Sequence, residues 1–268
     1  VLGLDFSGGT QIEVGYEQPA NVAELRTKLE TAGFDSPVVI HFRAETDVLI
    51  RMQGEPDQGL AERVYNVLQA DGEKVELRRV DFVGPQIGEE LRDDGGLGML
   101  TALALVMLYV AIRFQLKFSI GAVLALGHDV IITLGVFSLA RLEFDLTVLA
   151  AILAVVGYSL NDTIVVSDRI RENFRKIRKA GPVDVINESM SQTLWRTINT
   201  SFTTMLVLLA LFFLGGELIH NFSVALIVGI GVGTYSSIYV ASTLLLALNI
   251  QREDILEPFE GELVDDLP

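Results

Sequence analysis

Two kinds of patterning divide this chain. Up to about Gly95, apolar and charged positions alternate over short stretches; from Leu97 to Ile250, long apolar runs are separated by short polar ones. In the second part, five runs (97–112, 118–139, 146–166, 195–214 and 222–248) have the composition of bilayer-crossing helices. A hydrocarbon core takes about 20 helical residues, so the first run is short unless the Gly-rich stretch before it joins the same helix. In the first part, 10–16 (Thr-Gln-Ile-Glu-Val-Gly-Tyr) alternates with the period of a half-buried strand. Val22, Leu25 and Leu29 recur at helical spacing behind Asn21, a natural N-cap, and Gly33 supplies the stop. Residues 38–42 and 48–52 read as two strands, Leu60, Val64, Val67 and Leu68 as the apolar stripe of a second helix, and 74–83 as a last strand. The order β-α-β-β-α-β predicts a ferredoxin-like α+β sandwich. The expected fold is therefore an α-helical polytopic membrane protein with five spans and an N-terminal ferredoxin-like domain. Its parts are a soluble domain over 1–94, a membrane domain over 95–250 and a tail over 251–268.

Charge sets the orientation. Arg113 and Lys117 lie between the first two runs, only Arg141 follows the second, and Arg169, Arg171, Arg175, Lys176, Arg178 and Lys179 follow the third. The last connection, 215–221, has no Lys or Arg. Short loops rich in Lys and Arg stay on the cytoplasmic side. The soluble domain is thus expected outside and the C-terminus inside. The net charge of −15, much of it in the soluble part and the tail (Glu253, Asp254, Glu257, Glu260, Glu262, Asp265, Asp266), argues against nucleic-acid binding. The tail is expected to be solvated. With no cysteine, disulfides and thiolate metal sites are excluded.

The chemistry lies in the apolar runs. Asp162 follows the apolar stretch 146–156, and a carboxylate near the centre of a span costs roughly 2.5–3.5 kcal/mol by insertion scales. Chains that keep such a group use it to move protons or ions or to hold a polar partner. Arg196 opens the next run, and the midpoint between positions 162 and 196 falls in the basic segment, so an antiparallel hairpin sets the two at similar depth. A helix over 183–193 within that segment would alter the offset. If Asp162 takes up a proton, Arg196 needs other acceptors; Asn199, Thr200, Thr203 and Thr204 lie at helical spacings from it. A static ion pair that only fixes helix packing is the other reading of the same residues. His128 and Asp129, mid-run, form a second constellation, read as a buried polar pair or as a proton relay; neighbours on a helix point about 100° apart and need not touch. His41 and His220 show no ligand spacing with this pair, so no metal or other cofactor is expected. Gly229 and Gly233 have the spacing of close helix packing. Asp5-Phe6-Ser7-Gly8-Gly9-Thr10 lacks the Gly-Lys-Ser/Thr of a phosphate loop and reads as a tight turn into the first strand. Nothing in the soluble domain has the arrangement of a hydrolase, and the chain is not expected to be an enzyme.

Three segments together resemble one family. They are Gly3-Leu4-Asp5-Phe6-Ser7-Gly8-Gly9-Thr10, Gly127-His128-Asp129-Val130, and the run Ser159-Leu160-Asn161-Asp162-Thr163-Ile164-Val165-Val166-Ser167-Asp168-Arg169-Ile170-Arg171-Glu172-Asn173. They are similar to the SecD/SecF family of bacterial protein-export membrane proteins, within the resistance–nodulation–division superfamily. The small outer domain and the order of motifs resemble its SecF branch. The resemblance implies six spans, the first preceding the Gly3–Thr10 motif, so the chain resembles a member without that helix. It implies an inner-membrane protein with a periplasmic domain, acting with SecD and the SecYEG channel on unfolded preproteins and drawing on the proton-motive force. It also implies that Asp162 is the proton-carrying carboxylate, in one motif with Asn161, and that Arg196 is its partner. The family pattern usually has Phe where Ser167 stands. A small-molecule or lipid exporter of the same superfamily and a passive assembly protein are the alternatives.

Overall fold

In the computed structural model the described residues are 2–42, 44–54, 59–70 and 74–255. One helical turn, α1 (Leu4–Ser7), precedes a four-stranded antiparallel sheet of β1 (Gly9–Tyr16), β2 (Val38–His41), β3 (Asp47–Gln53) and β4 (Val75–Val83) in the order β2-β3-β1-β4. Helices α2 (Val22–Thr31) and α3 (Leu60–Gln69) complete the ferredoxin-like connectivity that the alternation predicts. The inward positions Ile12, Val14, Val48 and Ile50 meet Leu25, Leu29, Val64 and Leu68 in one core. Burying each such side chain is worth about 1.5–3 kcal/mol. Asn21 caps α2 as expected, its Oδ1 accepting from the backbone of Ala23 and Glu24 at 3.2 and 3.4 Å. β1 and β4 slip register at Glu13/Val14, and Arg78 crosses over Gly15 to pair with Asp47 at 2.6 Å. A Cβ at position 15 would lie 2.6 Å from the Arg78 Nε, so glycine leaves the room that this pair needs.

Among the described residues, five helices are long and apolar enough to cross a membrane, as the pattern predicts. The first, α4 (Pro85–Arg113), is longer than the run 97–112. Pro85 opens it, where a missing N–H costs nothing, and it continues through Gly95, Gly96 and Gly98. The expected domain boundary at 94/95 therefore falls inside a helix. α5 (Leu116–Ala140) matches its run. α6 (Leu146–Lys176) outlasts its run, so Arg169, Arg171, Arg175 and Lys176 sit on its last turns. α7 (Pro182–Leu214) joins the segment 183–193 and the run 195–214 in one helix. Only 177–181 connects α6 to α7, which keeps the hairpin offset read from the sequence. The last span comprises α8 (His220–Tyr235), a π-helical turn (Ser236–Val240) and α9 (Ala241–Ala247).

The chain forms two compact units. One contains Val1–Leu100, Leu134–Leu153 and Leu206–Ile227, within the described residues; the other contains Thr101–Thr133, Ala154–Met205 and the described part of Val228–Pro268. In the second unit Phe114, Phe118, Val166, Ile170 and Phe174 pack with Ile250 and Ile255. The start of the tail is thus anchored, contrary to a wholly solvated tail. The Lys117 Nζ reaches the Asn249 carbonyl at 3.0 Å and the Asp254 Oδ2 at 2.6 Å, and Ile255 is buried. The burial of Ile250 and Ile255 is the physical reason: two apolar side chains outweigh the local charge. The remaining tail acids, Glu257 to Asp266, lie outside the described residues.

Candidate functional site

Asp162 sits midway along α6, only 4 % exposed, and its Oδ2 has no hydrogen-bond partner among the described residues. Among the same residues, the hydroxyls of Thr163 and Thr197 are buried without partners as well. A buried acceptor left unpaired costs about 1–3 kcal/mol, more when charged, so this stretch is held at an energetic disadvantage. Arg196 acts on Asp162 electrostatically from α7, yet among the described residues the two form no ion pair. The expected contact is therefore not made here, and α7 shows why. Its packed stripe is Thr193, Thr197, Ser201 and Leu208, while Trp195, Ile198 and Phe202 are exposed. Arg196 lies one residue, about 100°, off the packed stripe and is exposed. Asn161 is exposed for the same reason, one position off the buried face of α6.

Thr200 uses its hydroxyl proton within its own helix and keeps its lone pairs as acceptors. Its hydroxyl donates to the carbonyls of Arg196 and Thr197 at 3.1 and 3.0 Å, and Thr203 and Thr204 bond back to the Thr200 carbonyl at 2.9 and 3.0 Å. Such back-bonding to the preceding turn is the usual way for a hydroxyl to be satisfied within a helix. Asn199 is exposed beside them.

His128 and Asp129 do touch: Nδ1 of His128 lies 3.0 Å from Oδ1 of Asp129. Against a carboxylate the ring nitrogen donates. The Asp129 Oδ2 accepts from the Ser159 Oγ at 2.6 Å, and Asp129 is 1 % exposed. Ser159 stands one turn before Asp162 on the same helix, so both intramembrane carboxylates are associated with one face of α6. Close approach of α8 completes the group. A Cβ on Gly233 would lie 3.0 Å from the Ser159 Cβ and 3.5 Å from the Asp129 Oδ2, and one on Gly229 would lie 2.3 Å from the Val155 Cγ2. The glycine spacing read as packing is indeed a contact between helices. The π-helical turn follows directly, with Ser236 donating to the Ala125 carbonyl at 3.4 Å; such turns are frequent at functional sites.

Sequence reasoning passed over Ser159 and Asp5. Ser159 could have been found from its i−3 spacing to Asp162. Asp5 had no local signal, since its partner is the start of α6. Its Oδ2 accepts from the Leu146 backbone N–H at 3.1 Å.

Comparison with known proteins gives a consistent identification. The family model "Protein export membrane protein SecD/SecF, C-terminal" matches residues 63–251, and the SecD/SecF GG motif matches residues 1–20. The chain is 56 % identical to the protein translocase subunit SecF of Pseudomonas aeruginosa, over 100 % of this chain and 88 % of that protein. It is 45 % identical to the SecF of Escherichia coli O157:H7, over 95 % of this chain and 80 % of that one. Among solved structures it is similar to SecDF of Thermus thermophilus, a translocon-associated membrane protein, with a TM-score of 0.78 and 42 % identity. That match covers 92 % of this chain and 34 % of the SecDF chain, so this chain spans about a third of it. The super-membrane-facing form of SecDF matches with a TM-score of 0.71 and 41 % identity, covering 94 % of this chain and 35 % of that one.

Proposed function

The chain belongs to the SecD/SecF family of protein-export membrane proteins, and from that premise we propose how it works. It is a SecF-type auxiliary subunit of the Sec translocon. It pairs with a SecD-type partner, acts beside the SecYEG channel on unfolded preproteins and draws on the proton-motive force. The Lys- and Arg-rich ends at Arg113–Lys117 and Arg169–Lys179 support a cytoplasmic position for that side of an inner-membrane protein, with the sheet domain in the periplasm. The task is transport, and no bond-breaking chemistry is assigned to the chain.

One observation carries the proton-coupled part of this reading. Asp162 is a buried carboxylate inside a span with an oxygen that no group among the described residues satisfies, and a cation stands near it on the next helix without closing the pair. An oxygen left open in this way can take a proton, whereas in a closed ion pair the guanidinium would occupy it. Proton binding alters the attraction of Asp162 to Arg196 and so biases the α6–α7 hairpin between two arrangements. A charge moved through 100 mV yields about 2.3 kcal/mol, comparable with a typical coupling free energy of about 1–3 kcal/mol. That is enough to shift a two-state hairpin and too little to draw a long polypeptide in one stroke, so the cycle repeats.

The test is Asp162→Asn in the complete complex with its SecD-type partner, reconstituted in vesicles. Preprotein transport is measured with and without an imposed proton gradient. Stimulation by the gradient is expected to disappear while gradient-independent transport continues. Full stimulation in the variant would overturn the assignment.

A further inference from the structure

The Gly3–Thr10 motif is not accounted for by proton carriage, and as a turn into β1 it is heavily over-built. Gly8 and Gly9 have φ of 72° and 148°, which already favours glycine. Beyond that, a Cβ on Gly9 would lie 2.2 Å from the Met52 carbonyl oxygen of β3, and one on Gly3 would lie 3.1 Å from both the Asp145 Cβ and the Phe144 carbonyl oxygen. The motif is therefore pressed on one side against the sheet and on the other against the segment that begins α6.

That second contact is built from several interactions. The Gly3 N–H donates to the Phe144 carbonyl at 2.8 Å, Leu2 and Phe144 form a parallel bridge, and the rings of Phe6 and Phe144 stack at 5.7 Å. The Asp5 Oδ2 accepts from the Leu146 N–H at 3.1 Å. Asp145 caps the same helix end from within, accepting from the Val148 N–H at 2.9 Å. Two carboxylates thus face the positive end of α6, one of them contributed by the motif. From the sheet, Arg51 of β3 pairs with Glu143 at 3.3 Å, both side chains largely buried, and the Gln53 amide donates to the Leu2 carbonyl at 2.8 Å. All of these residues belong to the same compact unit.

We infer that the Gly3–Thr10 motif is a mechanical clamp that fixes the sheet domain to the N-terminal end of α6, with Asp5 as the positioning residue. α6 runs unbroken from this clamp to Asp162. The use of the clamp rests on the proton-carrier reading of Asp162: a shift that follows proton binding and reaches the N-terminal end of α6 is passed on to the sheet domain. A turn needed only to start β1 would require Gly8 and Gly9 and would have no use for a carboxylate on a distant helix end.

The chain has no cysteine, so introduced thiols are unique within it. In the full complex, with a cysteine-free partner subunit, spin labels at Glu30→Cys on α2 and Leu153→Cys on α6 read the distance between sheet and helix. Asp5→Ala is expected to broaden that distance distribution and to lower gradient-driven export about fivefold, the shift that loss of one helix-capping contact produces. Asp5→Asn, which keeps an acceptor oxygen, is expected to retain most of both. In the Asp5→Ala background, Arg51→Cys and Glu143→Cys joined by a short bis-maleimide are expected to restore export. The inference is overturned if Asp5→Ala leaves either the distribution or export at the parental value, or if the bridge, shown to have formed, does not restore export. Asp162→Asn, measured alongside, keeps the narrow distribution. Persistence of its gradient stimulation would count against the proton-carrier reading alone, because the distance measurement judges the clamp separately.

Discussion

Ser159 donates a 2.6 Å hydrogen bond to the Asp129 carboxylate, joining the middle of α6 to the middle of α5. Both residues are buried, and the other Asp129 oxygen is occupied by His128. Ser159→Ala removes a donor from a buried carboxylate and leaves the rest in place. The expected cost is about 1–3 kcal/mol, read as a lower Tm of the detergent-solubilised chain. Asp129→Asn, which still accepts from Ser159 but carries no charge, is expected to cost less than Ser159→Ala. An unchanged Tm for Ser159→Ala would show that this hydrogen bond does not hold the two helices.

The contact of α8 with α6 is steric and can be tested by compensation. Gly229→Ala places a methyl 2.3 Å from the Val155 Cγ2, and overpacking of this kind costs about 1–3 kcal/mol. Val155→Ala opens the space at its own expense. Combined, the two substitutions are expected to cost clearly less than the sum of the single effects, as contacting residues do. Additive losses in Tm would refute the contact.

Acid should weaken the anchoring of the start of the tail. The hydrogen bond from Lys117, then that from the Gln251 backbone, hold the Asp254 carboxyl below its ordinary value of 3.8. A carboxylate with a depressed folded-state pKa contributes stability above its unfolded pKa, and that contribution is lost as pH falls through the folded value. The anchoring of 250–255 is therefore expected to be constant from neutral pH down to about pH 4 and to weaken below that. Carbon-detected NMR of Asp254 checks this. Lys117→Met should move its midpoint up toward the ordinary value, and an unmoved midpoint would rule out Lys117 as the cause.

Orientation has a direct test in the absence of native cysteine. Glu30→Cys and Lys179→Cys place single thiols on the exposed surface of α2 and in the α6–α7 connection. In intact spheroplasts a membrane-impermeant maleimide is expected to label the first and spare the second until the membrane is opened. The reverse pattern would invert the proposed topology.

Much of the architecture could be read without coordinates. The period-two segments, the caps at Asn21 and Gly33 and the apolar runs locate every strand and span to within a few residues, apart from the long starts and ends of α4, α6 and α7. Those extensions escaped because polar helical residues outside an apolar run, such as Glu89 to Asp94 or Asp168 to Lys176, look like loop to hydropathy. Asp162, Arg196, His128 and Asp129 stood out because charge in an apolar run is rare. Their relations did not. The approach of His128 to Asp129 depends on side-chain rotamers, and the separation of Asp162 from Arg196 depends on the rotation of α7 about its axis, which its packed stripe of Thr193, Thr197 and Ser201 sets.

The sequence by itself determined where the chain can cross a bilayer, which part folds as a sheet and which charges are out of place there. Those properties follow from side-chain hydropathy and backbone period, both local. Tertiary structure alone decided that Asp162 is left without a closed ion pair, that Asp129 is held through Ser159, and that Asp5 reaches the first N–H of α6 from 141 positions away in the chain. Each of these is a contact between segments remote in sequence. Such contacts are set by how the helices rotate and approach as their faces are buried, and no local pattern encodes that choice.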